Sequence, residues 1–332
     1  MTPLPHYHLS RRRLLAASAG LAALGTAGAQ AQAIDFPSRP VRIVLPFPPG
    51  TVNDAVLRLV GEGLTQRWKQ PIVIDNRPGA SSIIGTDHVA KSASDGYTLL
   101  ANITLVVQNP ALRKKLPYAF NDLRAVTQFN RQQLPVFVRA DLPVHSVTQL
   151  LELARAQPGK INFATWGLGS TAHLLQEKMR VDNGAPMTHV PYKGGADIIK
   201  ALLSGEADVA VADLLSPDAH FKSGKLRVIG VTGPVRLPNM PQVQTLQEAG
   251  VTGFDGYNWL GLFAPARTPD AVVRKISEDI NAVQADPALT RRFMEEMYVN
   301  PSATTPEQFA QIVDRDLQTW TGVIRRVGVS LE

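Results

Sequence analysis

From Val41 onward the chain alternates short apolar runs with longer amphipathic stretches. "VRIVLPF" is an apolar run of strand length, and "DAVLRLVGEGLTQRW" places Val56, Leu57, Val60 and Leu64 on one helical face. "PIVIDN", "IIGTDHVAKSA" and "YTLLANI" then read as strand, short helix and buried strand. This rhythm predicts a parallel sheet with helices on both faces. A second series follows "LPVFVRADLP". It runs helix "VTQLLELARAQ", strand "INFATW", helix "STAHLLQEKMRV", strand "MTHVPY", helix "ADIIKALLSG", then strands "DVAVAD" and "LRVIGVT". After the turn-rich "PNMPQVQTLQEAG" the chain re-enters a strand at "YNWLGLFAP" and ends in helical stretches at 269–285, 287–297 and 305–327. The apolar strands "LPVFVRA" and "YNWLGLFAP" bracket the second series. The expected organisation is a discontinuous first lobe, 34–135 and 257–332, with 136–256 inserted as the second and two strands as the hinge.

The N-terminus changes this picture only at its edge. "SRRRLLAASAGLAALGTAGAQAQA" has a basic start, an uncharged small and apolar run, and small-x-small sites, which reads as an export signal over residues 1–33 cleaved near Ala31 or Ala33. Ser10 to Leu15 resembles a twin-arginine signal; an ordinary secretory signal is the alternative. The expected address is therefore the periplasm. Glycines at 20, 25 and 28 interrupt the run, which is short for a membrane span. Without the signal the formal charge falls from +6 to +3, since three arginines leave and no acid does. The remaining basic residues are scattered and lack interleaved aromatics, so nucleic acid is not an expected partner. There are no cysteines, which excludes a disulfide frame, a thiolate nucleophile and Cys-ligated metal.

Candidate chemistry sits where four strands end. At "VLPFPPGTVND" prolines stiffen a strand-to-helix loop holding Phe47, Gly50, Thr51, Asn53 and Asp54. Helix-start amides carry partial positive charge and suit an anion; a plain Pro-rich turn with an Asn or Asp cap is the bland alternative. "DNRPGASS" brings Ser81 and Ser82 to a helix start, where hydroxyls can donate to a ligand or merely cap. "ATWGLGSTAH" carries Trp166, Gly167, Gly169, Ser170 and Thr171. Its Gly-Leu-Gly-Ser-Thr-Ala fits the loose G-x-G-x-x-A dinucleotide fingerprint, but the next strand, ending "HVPYKG", offers no acid for a ribose hydroxyl. A cradle for a smaller anion fits better. "VAVADLLS" ends a strand on Asp213, either a ligand acceptor or a structural one. The loops at 50–54 and 169–171 are expected to face each other across a cleft. The histidines are dispersed, no H-E-x-x-H occurs, and Ser170 is not in G-x-S-x-G, so no catalytic residue or metal site is read.

Taken in order, "PFPPG" with Asp54, "IDNRPGA", "ASDGYTLL", "NPAL", "KLPY", "HVPYKGG", "GEADVAVAD", "SGKLRVIGVT", "GLFAPARTP" and "TPEQFA" resemble the tripartite tricarboxylate transporter substrate-binding proteins, the Bug receptors. The resemblance covers the chain from "FPSRPVRIVLPFPPG" to its end. It implies an α/β type II periplasmic binding protein, with two α/β lobes joined by two crossing hinge strands. It also implies capture of a small organic carboxylate for integral membrane transporter subunits, without catalysis or cofactor, by a chain expected to act as a monomer. Where relatives have a segment rich in Gly, Ser and Thr after "YTLL", this chain has "ANITLVVQ", leaving Asn102 and Thr104 as polar candidates. Thr51, Val52 and Trp166 stand where smaller residues are usual, which points to an apolar or aromatic ligand body; a core role for Trp166 is the alternative. A sensor passing occupancy to a membrane signalling partner and a dinucleotide-dependent enzyme are the alternatives.

Overall fold

Eleven strands and ten helices follow one another among the described residues of the computed structural model: 35–215, 217–237, 239–253 and 257–331. The export segment read at 1–33 lies outside them. The first half runs β1 (Val41–Leu45), α1 (Val52–Trp68), β2 (Ile72–Asn76), a 3-10 turn (Ala80–Ser82), α2 (Ile83–Ala90), β3 (Thr98–Ile103), α3 (Leu105–Leu112), β4 (Leu123–Gln132) and β5 (Pro135–Arg139). Then come α4 (Val147–Ala156), β6 (Asn162–Thr165), α5 (Thr171–Asn183), β7 (Thr188–Pro191), α6 (Gly195–Ser204), β8 (Val209–Val211), α7 (Asp218–Lys222) and β9 (Leu226–Val231). The chain closes with β10 (Asn258–Pro265), α8 (Asp270–Gln284), α9 (Pro287–Glu296), β11 (Asn300–Pro301) and α10 (Pro306–Val327).

Two sheets result. The first has the order β11-β4-β10-β3-β1-β2, the second β7-β6-β8-β5-β9. β1 pairs parallel with β2 and β3, and β6 parallel with β7 and β8. β10 runs antiparallel to β3 and β4, as β5 does to β8 and β9. The chain passes from one sheet to the other through Gln133 and Leu134 and returns to the first at β10. β10 is buried along all eight residues, as its unbroken apolar run requires of a strand covered on both faces. Its Gly261 is needed for space: a Cβ there would lie 2.0 Å from Phe309 Cζ of α10.

Local chemistry fixes the helix ends. Thr305 and Gln308 form a capping box with Pro306 in the first turn, and Asp286 caps α9 with Pro287 inside. α10 carries Phe309, Val313, Trp320, Ile324 and Val327 into a cluster holding Leu100 of β3, Val107 of α3, and Leu174 and Met179 of α5. The two sheets therefore share one continuous apolar core along this helix. No described helix is long and apolar enough to cross a membrane.

Candidate functional site

The carboxyl ends of the parallel strands meet around a cavity of about 590 Å³, where open α/β sheets place ligands. Its first wall is the proline loop after β1. Asp54 is only 4% exposed and does not line the cavity. Its carboxylate accepts from the Gly50 amide and Arg58 Nε at 3.0 Å, and from Arg58 Nη2 at 3.0 Å and Asn76 Nδ2 at 3.1 Å. Burial pushes this carboxyl up, but Arg58, the Gly50 amide and Asn76 outweigh it and hold it below the usual carboxylate range. Asp54 thus ties the loop to β2. Gly50, at φ +80°, supplies the turn and lies off the cavity. Phe47, Thr51 and Asn53 face it. Thr51 caps α1 by accepting from Asp54 N at 3.3 Å, which leaves the Val52 and Asn53 amides as the open donors of that helix start.

The second wall is the turn before α2. Ala80, Ser81 and Ser82 have φ of +47°, +54° and +73°, three successive non-glycine residues in the left-handed region. Such backbone persists only where its surroundings over-determine it. Here Asn109 Nδ2 donates to Ser81 O at 2.9 Å, Thr86 Oγ1 to Ser82 O at 2.7 Å, and Asn102 Nδ2 to Ser82 Oγ at 3.2 Å and Thr86 Oγ1 at 3.0 Å. Asn102 is itself oriented by accepting from Ile103 N at 2.8 Å. Ser81 and Ser82 line the cavity, whereas Asn102 is fully buried behind them.

The third wall follows β6. Trp166 and Ser170 line the cavity, and exposed Leu168 stands at its rim. Trp166 also packs against the cores on both sides of it, so wall and core coincide in one side chain. Gly167 is off the cavity; it accepts from Ser170 Oγ at 2.7 Å and donates to Thr165 Oγ1 at 3.2 Å. Gly169 faces the other way: a Cβ there would meet Leu112 and Leu331 side chains at 2.8 and 2.9 Å. Its amide donates to His173 Nδ1 at 3.0 Å. His173 stacks on His189 with ring centres 4.1 Å apart, and His189 Nε2 lies 2.6 Å from Thr165 Oγ1. Burial and the neighbouring His173 push His189 down to about 4, and burial lowers His173.

Thr171 and Thr104 lie under the floor. Gln108 Nε2 donates to Thr171 Oγ1 at 3.0 Å, Thr171 and Thr104 hydroxyls sit 3.4 Å apart, and Thr104 Oγ1 donates to Asn258 Oδ1 at 2.7 Å. This chain of bonds fixes Asn258, which lines the cavity with an Nδ2 that has no partner among the described residues. Of the residues read from the sequence, Phe47, Thr51, Asn53, Ser81, Ser82, Trp166, Ser170 and Asp213 come together here. Gly50, Asp54, Asn102, Thr104, Gly167, Gly169 and Thr171 do not; each is engaged in holding a wall or the floor. The facing of loops 50–54 and 169–171 is replaced by a facing of 47–53 and 166–170.

Sequence reasoning missed Gln132, Asn258 and the fourth wall, Tyr192 to Gly195. That wall ends β7 on two glycines at the start of α6, a signal present in "YKGG". Gly194 caps α6 without a side-chain bond, so the first amides stay open. Lys193 beside them makes no ion pair among the described residues. Four helix starts and this lysine make the cavity rich in donors, which suits an anion. A separate cavity of about 550 Å³ lies among Arg131, Tyr257, Trp259 and α10. The Arg131 guanidinium carbon lies 3.9 Å from the centre of the Tyr257 ring.

The family model for the tripartite tricarboxylate transporter family receptor matches residues 56–329. The chain belongs to this receptor family. A UPF0065 protein in the tcbD-tcbE intergenic region of a Pseudomonas species is 34% identical over 96% of this chain and 94% of its own length. Protein BugT of Bordetella pertussis is 31% identical over 98% of this chain and 100% of its own. Among solved structures, that of R. palustris Rpa4515 with adipate has a TM-score of 0.82 and 30% identity, covering 89% of this chain and 99% of that one. MatC from Rhodopseudomonas palustris, with bound malate, has a TM-score of 0.78 and 26% identity, covering 87% of this chain and 100% of that one. The fold is that of the periplasmic binding proteins, and the receptors of this family are periplasmic solute-binding proteins.

Proposed function

We propose that this receptor captures a small organic carboxylate in the 590 Å³ cavity and delivers it, in the periplasm, to a tripartite tricarboxylate-type membrane transporter. The observation that carries the reading is the concentration of unmet donors on all sides of one cavity. These are the amides opening α1 and α6, the Ser81 hydroxyl, Asn258 Nδ2 and Lys193. The ligand contacts we assign are Phe47, Thr51, Asn53, Ser81, Ser82, Trp166, Ser170 and Asp213, with Lys193 to Gly195 and Asn258 added. The solved relatives with adipate and with malate support a carboxylate as the class. Phe47, Val52, Ile103, Leu105, Leu134 and Trp166 supply apolar surface, so the favoured acid has an apolar or aromatic body. The test is a thermal-shift screen of the purified protein against mono-, di- and aromatic carboxylates and their amides. A ligand at a hundred times its Kd adds about 2.7 kcal/mol to the native state. Acids should raise Tm where their amides do not; no shift with any acid, or equal shifts with the amides, overturns the proposal.

A further inference from the structure

β4 and β10 lie side by side and present different residues to opposite faces, because successive side chains of a strand alternate. Gln132 and Asn258, paired in register, line the cavity of about 590 Å³. The next pair in register, Arg131 and Trp259, lines the cavity of about 550 Å³ together with Tyr257. One strand pair thus separates two cavities. The rear one is closed by α10 and, from the segment after β9, by Pro234 and Gln247. Its volume is that of a small-molecule site.

The rear cavity has an apolar floor and unmatched charge. Trp259 and Trp320, 1% and 4% exposed, make the floor with Ile312 and Val323. Its charged lining residues are Arg131, Arg315 and Asp316. Trp259 Nε1 donates to Asp316 Oδ2 at 2.7 Å, and Arg315 Nε stands off Oδ1 at 3.9 Å. Burial pushes the Asp316 carboxyl up, against the pull of Trp259, Arg315 and Arg131. Arg131 lies on the Tyr257 ring and makes no hydrogen bond or ion pair among the described residues. A guanidinium stacked on an aromatic face keeps its N–H edge open, and that edge takes a carboxylate with two parallel bonds. Two guanidiniums against one carboxylate leave the cavity one positive charge in excess.

We propose that this rear cavity is a second binding site, for a monocarboxylate with a flat apolar body, its acid group on the Arg131 edge and its body against Trp320, Ile312 and Val323. Asp316 makes the site selective. A second carboxylate on the ligand would face Asp316 in a partly buried space, where like charges repel more strongly than in water. Dicarboxylates such as adipate and malate are therefore refused. The site stands on its own residues and does not require the other cavity to bind anything.

Trp259 and Trp320 supply the readout. The probe is para-nitrobenzoate, a monoacid whose nitroaromatic ring quenches indole emission at close range, titrated into the full chain carrying Trp166→Phe. That exchange removes the indole lining the other cavity and leaves Trp68, Trp259 and Trp320. Quenching should saturate, and adipate or malate in excess should not reverse it. Arg131→Gln should weaken the probe about tenfold. Thr319→Phe, which puts a ring into the space, should abolish saturation. Arg131 and Thr319 are exposed, so neither exchange disturbs the core. Asp316→Asn keeps an acceptor for Trp259 and removes the like charge; the probe should bind about threefold tighter or more, and adipate should now compete. Tighter binding is not what a merely structural loss would give. Quenching that never saturates, that adipate displaces without the Asp316 exchange, or that is unchanged in Arg131→Gln overturns the site. A loss in Lys193→Gln with none in Arg131→Gln would put the probe in the other cavity and overturn it equally.

Discussion

Two walls of one cavity end a strand and open a helix by opposite means. At Ala80–Ser82, three side chains are forced into the left-handed region and pinned by Asn102, Asn109 and Thr86. At Gly194–Gly195 there is no strain, no side-chain cap and no scaffold; Gly194 is extended at φ −173° with nothing within 4 Å of a Cβ. The first wall has its shape before a ligand arrives. The second offers bare amides and a lysine with no ion pair among the described residues, on backbone that no side chain pins. Preorganisation on one side would lower the ordering cost of binding the proposed ligand.

The largest effect expected from this contrast is at the scaffold. Asn102→Ala removes the donors to Ser82 and Thr86 and leaves the Ile103 amide without its acceptor in a fully buried place. A loss of about 2–4 kcal/mol in urea denaturation is expected. Because Asn102 acts on Ser82, combining it with Ser82→Gly should cost less than the sum of the two. Strict additivity would separate the turn from its scaffold and break the comparison.

A third wall sharpens it through pH. The Trp166–Ser170 loop is pinned by Gly169 N on His173 Nδ1, which requires a neutral ring, and His173 stacks on His189. Both pKa values lie below the ordinary 6.5, His189 at about 4, with only Glu177 pulling His189 the other way. The folded state therefore binds fewer protons than the unfolded one as pH falls below about 6.5. The contribution of His189 to stability is constant above about 6.5, declines between 6.5 and about 4, and levels off below that. Urea midpoints between pH 7 and 4 should fall, and His189→Gln should flatten the profile. The serine wall has no titrating group, so Ser82→Gly should leave the slope unchanged.

The contrast also shows what a sequence can disclose. The largely apolar strands β1, in which only Arg42 is exposed, and β10, and helices with clear caps, were legible because pattern and burial agree. β4 was not, because Thr127, Gln128 and Asn130 are buried polar residues. The partners of Thr127 and Gln128, which are Thr304 and Ser302, lie far along the chain. α3 hid behind Pro110 and its amide side chains. In the site, strand-end loops were legible as loops, but not which side chain faces inward. Asp54, Asn102, Thr104 and Thr171 are polar residues near the cavity that serve the frame. Asn258 carries no local signal; its place depends on β10 returning to the first sheet.

Lys193→Gln tests the unpinned wall. Loss of one exposed cation beside the α6 amides should weaken a bound acid by up to about tenfold at low salt, and much less at high salt. Trp166→Ala should cost an aromatic acid roughly 0.5–1.5 kcal/mol beyond area burial and spare malate. Equal losses by calorimetry would assign Trp166 to the core alone.

The smallest effect is the most diagnostic. Gly194→Ala adds one methyl group where extended backbone suits any residue and no atom lies within 4 Å. Stability should change by less than about 0.5 kcal/mol. Affinity for the probe acids should fall only a few-fold, because the added carbon narrows the approach to the open amides without removing them. Set beside Ser81→Gly, this exchange runs in the opposite chemical direction, from glycine to a side chain. Yet both should lower affinity, one by closing access and the other by deleting a donor, while only the serine change should raise Tm, by relieving left-handed backbone. A Gly194→Ala protein that melts several degrees lower would mean that this wall is also held under constraint. The difference between a rigid and an unpinned side of the cavity would then disappear.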